Sequence, residues 1–239
     1  GLPVVIGMLT QTLINQVDSI FIGRLPGQIA VPGTAALGFS IILFFAVGGS
    51  VTTAVAVGTQ AMTARRFAEG NHHAAGQVLT NSLVLAVVAS LAATLLGVTC
   101  ASSLVHFVHK DPVVREVGVS FLQIRFLGIP AMGSTAAGKA FCDGLSRVRV
   151  HMTVAIVMNL INFVLCYALV FGHFGLPRLE VNGAAWAAVI SSAVGTAMML
   201  FWASRPADRA RFRAFRISTL AARPRVVSGT RVALGGRRL

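Results

Sequence analysis

The chain has 239 residues, of which 55% are hydrophobic and only 11% charged, and it carries a formal net charge of +13. An ordinary soluble domain holds roughly 25% charged residues because it must cover its surface, so this composition excludes such a domain and predicts a membrane protein. Three scattered cysteines (Cys100, Cys142, Cys166) form no CxxC pair and predict neither a disulfide framework nor a metal site.

A hydrocarbon core about 30 Å thick needs roughly 20 apolar residues per helix. Cutting the chain at its charged and Pro/Gly-rich stretches leaves six such segments, near 3–23, 33–61, 76–105, 113–138, 150–172 and 181–203. The predicted fold is therefore all-α, with six transmembrane helices. Residues 1–204 form the membrane domain and 205–239 a basic, disordered tail.

The first span opens on Gly1 with no basic segment before it, which reads as a missing start rather than a signal peptide. Pro3 stands in its first turn, where proline is tolerated and can bend the helix. Gln11, Asn15 and Asp18 fall within roughly 60° of one another at 100° per residue, making one polar stripe. An Asp at a helix centre costs about 2.5–3.5 kcal/mol on the translocon scale, so a chain that keeps one compensates it or uses it. No basic residue stands near Asp18 on its own helix, so the carboxylate must protonate or meet a cation. Asp18 is the leading candidate for a proton or cation site; a wet position near the outer end of the span is the competing account.

The connectors carry charge, Pro or Gly, as chain at a membrane surface does. Counting Lys and Arg assigns their sides. Arg65, Arg66, Lys139, Arg147 and Arg149 lie on one side with the Arg-dense tail; Arg24, Lys110, Arg115 and Arg178 lie on the other. The N-terminus, the loops after spans 2 and 4, and the tail are expected to be cytoplasmic. The tail holds half of the basic residues and is expected to face anionic lipid headgroups rather than nucleic acid.

In the fourth span, Arg125 is expected to snorkel to the outer interface, with contact to an anion as the competing account, and Pro130 to bend the helix by removing a backbone donor. In the fifth, Asn159, Asn162 and Cys166 share one helical face that can look at the Asp18 stripe across a bundle. Interhelical hydrogen bonding is the plain reading of the two asparagines, at about 0.6 kcal/mol per contact.

Taken in order, "LPVVIGMLTQTLINQVDSIFIGRL", "GTQAMTARRFAEGNHHAAGQVL", "FLQIRFLGIPAMG", "GKAFCDGLSRVR", "NLINFVLCYALVFG" and "VNGAAWAAVISS" resemble the multidrug and toxic compound extrusion (MATE) family of antiporters. The resemblance covers about residues 1–204 and rests on the ordered set, since no single piece is diagnostic. It implies twelve helices in two six-helix lobes around a central cavity, with this chain as the N-terminal lobe. It implies cation-coupled efflux, driven by H+ or Na+, of a small organic, cationic substrate across the inner membrane, with no enzymatic cofactor.

By that resemblance Asp18 corresponds to the family's helix-1 acid, Pro3 is the helix-1 proline associated with bending, and Gln11, Asn15 and Cys166 are expected to line the cavity. Asn162, with Asn159 beside it, corresponds to the helix-5 Asn of an N-x-x-x-D pattern in which Cys166 here replaces Asp. A thiol is a poor ligand for hard sodium, so the departure favours a proton at Asp18 or an ion site in the second lobe. The resemblance also implies a partner, either a second lobe or another copy of the chain. The alternatives are a lipid-linked oligosaccharide flippase of related fold and an inactive fragment. An intramembrane hydrolase lacks a nucleophile with a base in reach.

Overall fold

The computed structural model describes residues 18–204, apart from the Gln28 side chain. Pro3, Gln11 and Asn15, most of the first span, and the 205–239 tail lie outside the described residues.

Every regular element among the described residues is helical. The end of the first span forms α1, residues 18–23. It is followed by α2 (Gly27–Phe44), α3 (Ser50–Ala68), α4 (His72–Val108), α5 (Pro112–Leu127), α6 (Ile129–Gly144), α7 (Val148–Phe171) and α8 (Glu180–Ala203). A π-helical turn, Phe45–Gly49, joins α2 to α3, so Ile29–Ala68 makes one continuous apolar path. That turn falls on a Gly48-Gly49 pair, where the missing side chains let the backbone widen.

Local chemistry sets the boundaries. The Asn71 side chain accepts from Ala74 N–H and caps α4. The Asp111 side chain accepts from Val113 N–H and caps α5, with Pro112 at a position whose N–H would be unpaired anyway. At the other end of α7, Gly172 takes φ of 76°, a left-handed cap that favours glycine.

Four of these helical paths are long and apolar enough to cross a membrane, and α5 with α6 makes a fifth if the bent pair counts as one span. The pair bends by 45°. Pro130 has no N–H to offer the carbonyl of Phe126, four residues back. That carbonyl instead accepts from the Thr94 hydroxyl of α4 at 2.9 Å. The bend thus has a tertiary partner that satisfies the group proline leaves open.

One boundary corrects the sequence reading. The fourth span does not stop at 138: α6 continues to Gly144, which places Lys139 inside a helix and not in a cytoplasmic loop. Hydropathy ends a span at its first charge, whereas a helix continues wherever that charge faces a cavity rather than lipid.

The helices pack as a bundle in which α3 lies along α6 and α4, α7 along α8, and α2 along α5. The α7–α8 approach depends on Gly183, where an added Cβ would sit 2.7 Å from the Leu169 backbone. Phe21, Ile22 and Leu25 from α1 and its following turn join Leu169, Val170 and Ala184 in one buried cluster, so the first span docks onto α7 and α8. Large apolar side chains such as Val31, Leu95 and Leu160 lie exposed on the outside, where lipid is the solvent.

Candidate functional site

The docking of α1 places Asp18 inside the bundle. The residue is 4% exposed. The Cys166 thiol of α7 lies within hydrogen-bonding reach of its carboxylate, and Oδ1 has no hydrogen-bond partner among the described residues. The charged group whose field acts on its carboxylate is Arg125 of α5, without a direct ion pair between them. The sequence could not supply this cation, because it comes from a different helix.

Arg125 does not snorkel to an interface, and that expectation is corrected. Its side chain lines a cavity of about 220 Å³ within the lobe, with the guanidinium carbon 4.8 Å from the centre of the Phe44 ring. A cation over an aromatic face at a half-buried site gains about 1 kcal/mol, and the charge of the nearby Asp18 carboxylate favours the cation further.

The same cavity receives Asn159 and Asn162 from α7, Lys139 and Thr135 from α6, and Ser191 and Ser192 from α8. The face shared by Asn159, Asn162 and Cys166 is therefore turned inward, while Ile156 and Leu160 on the same helix are exposed. Asn162 is 2% exposed. Its Oδ1 and the Nδ2 of Asn159 are both without hydrogen-bond partners among the described residues. Cys166 is fully buried and stands a turn from Asn162, beside Asp18 instead of in the cavity lining. Pro130 lies on the cavity's supporting bend, where its own carbonyl accepts from Ser134 Oγ.

Other polar groups here are spoken for. Thr135 Oγ1 lies 2.9 Å from Thr196 Oγ1 and donates to the Ser192 carbonyl, and the Thr196 hydroxyl reaches the Ala131 carbonyl, so α6 and α8 are pinned beside the cavity. Sequence reasoning missed Lys139 as a cavity residue. A signal existed: Lys139 is flanked by small residues, Ala136, Ala137, Gly138 and Ala140, which is the composition of a packed helix and not of a loop. No cluster of three or more potential metal-ligating side chains occurs among the described residues.

An apolar helical bundle with lipid-facing sides and a charged, hydroxyl- and amide-lined cavity inside it defines a multi-pass membrane protein. The MatE family model matches residues 3–168, and the chain belongs to that family. It is 29% identical, over 90% of its length, to a Probable multidrug resistance protein NorM of Rhizobium meliloti (strain 1021), covering 45% of that protein. It is 27% identical, over 85% of its length, to the Multidrug resistance protein PmpM of Pseudomonas aeruginosa, covering 42% of it.

A solved multidrug resistance MATE family transporter in an outward-facing conformation matches 87% of this chain with a TM-score of 0.78 at 22% identity, using 44% of that structure. An inward-facing one matches 80% of the chain, and 42% of its own, with a TM-score of 0.70 at 21% identity. The chain thus has the fold of part of these transporters, and it spans about half the length of the curated relatives it matches.

Proposed function

We propose that the chain is one lobe of a proton-coupled transporter that exports small organic molecules, with Asp18 as the group that takes the proton. The observation that carries this reading is the buried Asp18 carboxylate, with one oxygen unpartnered, set against Arg125 at the cavity wall. The multidrug names of the relatives support export of drugs over flipping of a lipid-linked saccharide.

The physical cause is differential stability of two charge states. Ionised Asp18 is held by Arg125 across the α1–α5 interface; protonated Asp18 is not, and the first helix is then free to pack differently against α7. A proton supplied from outside drives this change, and the cargo leaves on the altered side. Sodium fits less well, because Arg125 already supplies a fixed cation and the fourth residue after Asn162 is a thiol. Asn162 and Asn159 serve as neutral polar partners in the cavity. A cationic cargo, as the resemblance implies, would find no carboxylate among the described cavity residues and would draw its counter-charge from the second lobe.

That second lobe, or another copy of this chain, completes the molecule. An inner-membrane location with cytoplasmic termini rests on the basic tail. With Lys139 inside α6, the short loops set Arg65, Arg66, Arg147 and Arg149 against Arg24, Lys110, Arg115 and Arg178 and decide nothing.

The test is efflux of a fluorescent drug in proteoliposomes under an imposed pH gradient. Wild-type protein is expected to accelerate with the gradient and Asp18→Asn to lose that response. Equal responses in both would overturn the assignment.

A further inference from the structure

We propose that this lobe's cavity holds the anionic group of its cargo, a carboxylate or a similar oxyanion, between Arg125 and Lys139. The proposal deepens the transport reading above by naming the chemistry of the cargo. It rests on the charge and hydrogen-bonding character of the cavity walls.

Two cationic side chains from successive halves of a bent span, Arg125 of α5 and Lys139 of α6, line the same cavity. Its described lining contains no carboxylate. Neither cation makes a salt bridge with a described carboxylate: Arg125 faces Asp18 through the α1 interface, and the acid nearest Lys139 is Asp143, one turn on. Both Asp143 oxygens lie 2.9 Å from His151 Nδ1 at the start of α7, so that carboxylate already has a partner. Both side chains are half-buried, and the hydration they lose is a cost that a bound oxyanion with charge-assisted hydrogen bonds offsets.

Asn159 also lines the cavity, and its buried Nδ2 has no hydrogen-bond partner among the described residues. Around these donors stand Phe44, Phe45, Met132 and Met158, an apolar wall suited to an aromatic or alkyl body. The geometry therefore fits an amphipathic organic anion: head between guanidinium and ammonium, body against phenyl and thioether groups. Phe44 fixes the guanidinium by stacking beneath it, so the head group meets an oriented fork rather than a mobile charge.

The test uses the purified full chain in nanodiscs and calorimetric titration with three probes of one shape: 2-naphthoate, neutral 2-naphthamide and 2-naphthylmethylammonium. Naphthoate is expected to bind about tenfold more tightly than the ammonium probe, the size of one charge-assisted hydrogen bond. Lys139→Gln is expected to remove most of that preference and Lys139→Arg to keep it. Equal binding of the three probes, a preference for the ammonium, or an undiminished naphthoate preference in Lys139→Gln would overturn the proposal. The wild-type preference decides the matter even if a variant misfolds. No proton gradient enters the titration, so loss of the anion preference leaves proton coupling standing, and loss of coupling in the liposome assay leaves the anion site standing.

Discussion

Asp18, Cys166 and Arg125 form a group whose behaviour depends on which atoms are charged. Replacing the thiol with a second carboxylate sharpens the point. In Cys166→Asp two acids face one guanidinium in a buried site, and like charges that close cannot both stay ionised without another cation. Sodium is expected to raise the melting temperature of Cys166→Asp but not of the wild type; equal sodium stabilisation of both would contradict the proton assignment. The inward stripe of Asn159, Asn162 and Cys166 was legible from helical period alone. The Asp18–Arg125 relation was not, because residues more than a hundred positions apart meet only through packing, and Lys139 was misplaced because a charge inside a span looks like the end of one.

The helices carry their own tests. Thr94 of α4 donates to the Phe126 carbonyl that Pro130 leaves unpaired, so Thr94→Val buries an orphan acceptor at a cost of about 1–3 kcal/mol. In a Pro130→Ala background the alanine N–H can take over that carbonyl, and the cost of Thr94→Val is expected to shrink; a thermal-melt double-mutant cycle with no coupling would contradict this account of the bend. Gly183→Ala, pressing a methyl against the Leu169 backbone, is expected to cost about 1–3 kcal/mol by separating α7 from α8, again read as a lowered melting temperature.

At the turn after α3, Arg65 and Arg66 hold the Glu69 carboxyl below its ordinary value. Whatever stability that cluster adds is present above the ordinary Glu pKa and lost as pH falls through the depressed one. The group is solvent-exposed, so the loss is small and screened by salt. Sequence reading placed the five later spans to within several residues from apolar length and Pro/Gly breaks. The π-turn at Phe45–Gly49 was not legible, since a widened turn leaves the apolar run unbroken.

At the scale of the whole molecule, the chain matches less than half of the related proteins and structures, and in the proposed two-lobe reading its cavity becomes a working site when a second lobe or second copy faces it. Native mass measurement or cross-linking in detergent is expected to show a complex with another lobe; a stable monomer that transports alone would refute the two-lobe reading. In the proposed mechanism the assembled molecule moves a proton on and off Asp18. Infrared difference spectroscopy of the protein in bilayers reads it most directly: acidification is predicted to produce a protonated-carboxyl band that is absent in Asp18→Asn. A band that persists unchanged in Asp18→Asn, or no carboxyl band in the wild type at any pH at which the protein is folded, would contradict it.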